Sequence, residues 1–121
     1  MTTIATCHCG GTRIELPEAP AHATQCTCTF CSKSGGLWAY YPPEAPRILS
    51  DTHRAMYTAS GFNQHYFCSR CGMPTYGISP DWSLGGEGIP EKKKFAVNAR
   101  LLDDFDLGSL VVEEVDGRNL W

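Results

Sequence analysis

The sequence lacks an apolar run of the roughly 20 residues that a membrane-spanning helix needs. It also has little charge: 19% of its 121 residues are charged, with a formal net charge of −3. That balance is not the basic footprint of a nucleic-acid-binding domain. The one basic run, Lys92-Lys93-Lys94, reads as a solvated stretch. A long helical period is missing too, because 12 glycines and 8 prolines break the chain into short pieces. The segment Met1–Thr6 has neither a basic start nor an apolar core, so no secretory signal is expected and the default location is the cytoplasm. No linker or low-complexity segment divides the chain, and residues 1–121 are expected to form one globular domain.

What is present is cysteine, and it is clustered. All 7 fall in three tight groups: Cys7-His8-Cys9, Cys26-Thr27-Cys28-Thr29-Phe30-Cys31, and Cys68-Ser69-Arg70-Cys71. The odd count and the spacings C-x-C and C-x-x-C argue against a disulfide framework, whereas two ligands on one metal suit them. Cys7, Cys9, Cys68 and Cys71 make four ligands, a complete tetrahedral zinc site. Cys26, Cys28 and Cys31 make three, leaving one position open. Pairing the two pairs leaves no cluster split, although the triplet can also share ligands with either pair. Each pair is followed by a glycine, Gly10 or Gly72, which allows a tight turn with amides aimed at sulfur. Those amides matter because four thiolates on zinc leave a net charge of about −2. His8 lies between two ligands and is expected to point away. His22 and His53 lack ligand spacing, as does His65, which precedes Cys68 by three.

Several short runs read as strands: 12–16, 37–41, 47–49, 55–57, 65–67, 75–78, 95–99 and 110–115. In the first, Ile14 and Leu16 share a face. Helix is expected at most as single turns over 80–84 and 104–107. The pattern predicts an all-β domain of short antiparallel strands with little helix.

Three thiolates on one zinc leave it a poor Lewis acid for water but suited to holding an exogenous thiol as thiolate. A thiolate so held remains nucleophilic towards a small electrophile such as an aldehyde. A thiol substrate bearing carboxylates needs cations nearby. Lys33, two residues past Cys31, is one candidate, and Arg100 is another. Trp38 and Tyr40 are candidate pocket walls, with core packing as the alternative. Gly35-Gly36 gives the loop room to turn.

Taken together, Cys7-His8-Cys9-Gly10, Cys26-x-Cys28-x-x-Cys31 and Phe67-Cys68-x-x-Cys71-Gly72 resemble the glutathione-dependent formaldehyde-activating enzyme / centromere protein V family. The segments 32–41, His65-x-Phe67-Cys68, Val97-Asn98-x-Arg100-x-Leu102-Asp103 and Asp116-Gly117-Arg118-Asn119 add to the likeness, which covers nearly the whole chain. The resemblance implies a β-tent fold with one zinc on Cys7, Cys9, Cys68 and Cys71 and a second on Cys26, Cys28 and Cys31. It also implies carbon–sulfur bond chemistry, with glutathione and formaldehyde giving S-hydroxymethylglutathione. The expected function is a small zinc-dependent carbon–sulfur lyase. The alternative is a non-enzymatic zinc module that binds a partner or a thiol metabolite. A methionine sulfoxide reductase is disfavoured, because no free cysteine remains after Cys71.

Overall fold

The computed structural model describes residues 2–82 and 88–120. Among the described residues ten strands form two sheets. The smaller joins β1 (Thr3–Thr6), β2 (Thr12–Leu16) and β5 (Arg47–Asp51) in the order β1-β2-β5. The larger contains β3 (His22–Cys26), β4 (Trp38–Tyr41), β6 (Arg54–Tyr57), β7 (Gln64–Cys68), β8 (Pro74–Pro80), β9 (Lys93–Asn98) and β10 (Val111–Val115). Its order is β10-β3-β4-β9-β8-β7-β6. The protein is therefore mostly β, as the short Gly/Pro-punctuated runs predict. One ladder departs from the antiparallel expectation: β10 runs parallel to β3, in register from Val111↔His22 to Val115↔Cys26.

Alternation accounts for β2, where Thr12, Ile14 and Leu16 are buried and Arg13 faces solvent. These side chains join Ala39, Tyr76 and Val97 of the larger sheet in the core. Tyr76 stacks between Tyr66 and Phe95, with ring centroids 4.6 and 5.0 Å away. Its hydroxyl donates to Asp51 Oδ2 at 2.7 Å, so β8 of one sheet is tied to β5 of the other.

Helix is scarce, and the sequence anticipates only part of it. The six-residue helix α1 (Thr29–Ser34) contains Cys31, and a short α2 (Gly117–Leu120) closes the described chain. Among the described residues, 3-10 turns cover Ala99–Leu101 and Leu107–Ser109. The turn expected over 104–107 thus begins only at Leu107, because Asp106 caps it by accepting from Gly108 N–H and Asp104 adopts a positive φ of 51°. Of the turn expected over 80–84, Pro80 ends β8, Trp82 is in 3-10 conformation, and Ser83 and Leu84 lie outside the described residues. Among the described residues no helix is long and apolar enough to cross a membrane.

Candidate metal centres and an adjoining cleft

The β1–β2 turn presents Cys7 and Cys9, and the β7–β8 turn presents Cys68 and Cys71. The two turns are built alike. Cys7 C=O accepts from Gly10 N–H at 3.0 Å, and Cys68 C=O accepts from Gly72 N–H at 2.8 Å. Both glycines sit at positive φ, 83° and 78°, which a side chain would strain. The β5–β6 turn braces the pair: Thr52 N–H donates to Gly11 C=O and Ser69 N–H to His53 C=O. All four sulfurs lie within 4.8 Å of one another.

This geometry fits a tetrahedral metal. Zinc–sulfur bonds of about 2.3 Å put tetrahedral sulfurs about 3.8 Å apart. Cys7 and Cys9 Sγ are 3.7 Å apart, and Cys9 and Cys68 Sγ are 3.5 Å apart. Thr12 N–H donates to Cys7 Sγ at 3.3 Å. The sulfurs do not titrate alike. Burial pushes Cys71 up, but the N–H groups of Met73 and Cys9 and the Cys68 and Cys7 thiols outweigh it, and its pKa falls to about 6. For Cys9, Gly11 N–H lowers the pKa, but burial and the other three thiols raise it to about 11. Sulfurs this close repel each other as thiolates, and a shared cation removes the repulsion for all four.

The second group is more local. Cys26 ends β3, Cys28 is the N-cap of α1, and Cys31 sits inside α1, with the three sulfurs again within 4.8 Å of one another. The sequence suggested a plain loop here. The helix forms because the Cys28 thiol accepts the Cys31 N–H at 3.4 Å and Gly35, at φ 72°, ends the turn in a left-handed conformation. Burial raises Cys28, but the Cys31 N–H and the neighbouring thiols outweigh it, so its pKa is lowered. Burial, followed by Cys28, raises Cys31.

A cleft of ≈ 360 Å³ opens beside this triplet, lined among others by Cys26, Cys31, Gly36, Arg100, Glu114 and Arg118. Buried Asn98 aims Arg100 at it: Asn98 Oδ1 caps the 3-10 turn by accepting Arg100 N–H at 3.2 Å, and its Nδ2 donates to Pro74 C=O. Arg100 Nε then donates to Gly35 C=O at 2.9 Å. Lys33 is exposed and lines a smaller adjoining cleft of ≈ 150 Å³ with Thr27, Thr29, Ser32 and Arg118. Trp38 is 7% exposed and stands in the core, not among the cleft-lining residues. Tyr40 faces solvent and carries Lys94 Nζ 4.1 Å over its ring.

Arg118 was not singled out from the sequence as a site residue. The parallel β3–β10 ladder brings it there, and Thr27 fastens it: Thr27 Oγ1 donates to Asp116 Oδ1 at 2.8 Å and accepts Arg118 N–H at 3.4 Å. The only sequence signal was the Asp116-Gly117-Arg118-Asn119 run. His8 is an exposed turn residue outside both sulfur groups. His65 is also outside them. It stacks on Phe30 of α1, with ring centroids 3.7 Å apart, and burial lowers its pKa.

Residues 2–89 match the glutathione-dependent formaldehyde-activating enzyme family, a span holding all seven cysteines. The chain belongs to this family. Family membership implies glutathione-dependent formaldehyde activation, with glutathione as the small-molecule thiol. A crystal structure of a Rhodobacter sphaeroides protein is similar, with 26% identity over 93% of this chain and 99% of that one, at a TM-score of 0.73. Two sulfur groups able to hold metal ions thus sit in a fold shared with a solved structure.

Proposed function

We propose that this protein is a zinc-dependent carbon–sulfur lyase that binds a glutathione-like thiol and makes or breaks its adduct with formaldehyde or a similar small electrophile. One observation carries the reading: a four-sulfur group stands apart from a three-sulfur group that opens onto a cleft lined by two arginines. Cys7, Cys9, Cys68 and Cys71 would hold a structural zinc, and Cys26, Cys28 and Cys31 a second. Bound there with one position open, zinc would hold the substrate sulfur as thiolate.

The chain's own residues bind and orient. Arg100 and Arg118 attract carboxylates, while Glu114 supplies the opposite sign on the same cleft. That mixed lining suits a zwitterionic peptide thiol better than a simple alkyl thiol. Lys33 stands at the neighbouring cleft as a further cation. In the forward direction the substrate sulfur attacks the carbonyl carbon and a carbon–sulfur bond forms. The carbonyl π pair moves to oxygen, which takes up the proton the thiol has lost. The reverse reaction cleaves the same bond. A reducing, cytoplasmic setting keeps the seven cysteines as thiols, and residues 1–121 act as one zinc-binding domain.

The test is exchange between free formaldehyde and its glutathione adduct, followed by NMR. Zinc-loaded protein is expected to accelerate exchange over the spontaneous rate, and Cys28→Ser is expected not to. Protein holding two zinc ions per chain without any acceleration would leave a non-enzymatic zinc module in its place.

A further inference from the structure

The core residue Trp38 begins β4 and is 7% exposed. Its Nε1–H is the one buried side-chain polar group among the described residues without a hydrogen-bond partner. An indole N–H can only donate, and leaving a donor buried and unmatched costs roughly 1–3 kcal/mol. The ring edge bearing this nitrogen packs against Gly36. A Cβ placed on Gly36 would lie 3.0 Å from Nε1, and Gly36 lines the same cleft as Cys26 and Cys31. The indole side chain also lies within interaction range of the Cys31 side chain.

The triplet has the matching deficit. Cys26 Sγ accepts Cys28 N–H at 3.4 Å, and Cys28 Sγ accepts Cys31 N–H at 3.4 Å. Cys31 Sγ accepts no backbone N–H among the described residues. A neutral thiol is a weak acceptor, so an indole beside it can stay unbonded. A metal-held thiolate is a strong acceptor that draws the donor in.

We infer that Trp38 Nε1 donates a hydrogen bond to Cys31 Sγ when that sulfur is a metal-held thiolate, making Trp38 a positioning residue of the open site. The inference rests on the metal-site reading above. It gives each of the three sulfurs one N–H donor. It also draws charge off a site that must accept a fourth thiolate. Gly36 is required for the approach, since a Cβ there would stand 2.4 Å from the indole ring.

The test needs no substitution to begin. Protein with isotope-labelled indole nitrogens is titrated with zinc and then with spin-active cadmium, and the buried Trp38 resonance is told from Trp82 and Trp121 in Trp82→Phe and Trp121→Phe proteins. Loading of the triplet is expected to move the Trp38 N–H resonance downfield and, with cadmium, to split it through the sulfur. Neither change is expected in Cys28→Ser. Trp38→Phe and Gly36→Ala should each make the second metal roughly ten- to a hundred-fold easier for a chelator to remove, leaving the first unchanged. Two bound metals with an unresponsive Trp38 N–H would overturn this inference and leave the metal-site reading standing. A triplet that takes no metal at all would overturn both.

Discussion

Replacing Cys68 by serine should cost much of the fold's stability. Cys68 is fully buried, and its sulfur lies 3.5 Å from that of Cys9, 59 residues earlier. A metal gripping both turns acts as a crosslink between the two sheets. Closing a loop of that length removes about 4 kcal/mol of entropy from the unfolded chain. Folded domains are stable by only about 5–15 kcal/mol, so the loss is a large fraction of the total. For a chain of this size it corresponds to a fall in Tm of roughly 15 °C. Thermal unfolding of the zinc-loaded proteins by circular dichroism measures it. The open site supplies the control. Its three sulfurs lie between Cys26 and Cys31, in a segment already ordered by β3 and α1, and serine is a favoured N-cap in place of Cys28. Cys28→Ser should therefore lower Tm by less than about a third of the Cys68→Ser effect. Equal losses from the two substitutions would refute the division into a structural and a working site.

Three further outcomes are expected. Tyr76→Phe should destabilise the protein by about 1.5–3 kcal/mol in urea unfolding, because it strips a hydrogen bond from the Asp51 carboxylate that joins the sheets. Arg100→Ala should raise KM for glutathione roughly ten- to a hundred-fold without changing metal content, the loss of one charged contact. An unchanged KM would remove Arg100 from the binding role. The third concerns pH. Burial holds the folded pKa of His65 below its unfolded value of about 6.5, so the unfolded chain takes up the proton first as pH falls. The stability due to neutral His65 is complete above that value and is lost as pH drops towards the folded pKa. The Tm of His65→Phe should therefore fall less than wild type between neutral and mildly acidic pH, and parallel curves would contradict this.

Both sulfur groups could be read from sequence because metal ligands on one turn are neighbours in the chain. C-x-C and C-x-x-C suit two ligands on a single ion, while the pairing of Cys7 and Cys9 with Cys68 and Cys71, left open by the spacings, is settled by the fold that brings their two turns together. Strands such as β2 were legible from alternation. What escaped has physical reasons. Helix α1 has six residues and buries none of them, so it leaves no apolar period to detect. The strands β1 and β3 are short, and β3 is held by a parallel partner 85 or more residues away whose register no local pattern encodes. That same ladder delivers Arg118 to the cleft. Trp38 was a candidate pocket wall with core packing as the alternative, and its place in β4 turns it into the core, where its buried N–H has no hydrogen-bond partner.

The most direct test of the central claim, that the triplet leaves one position for a substrate thiol, is the absorption spectrum of cobalt-substituted protein. Adding glutathione should intensify the sulfur-to-metal charge-transfer band in the wild type and leave Cys28→Ser unchanged. Adding S-methylglutathione, whose sulfur cannot ionise, should leave both unchanged. Equal responses to the two ligands, or a response that survives in Cys28→Ser, would contradict the account.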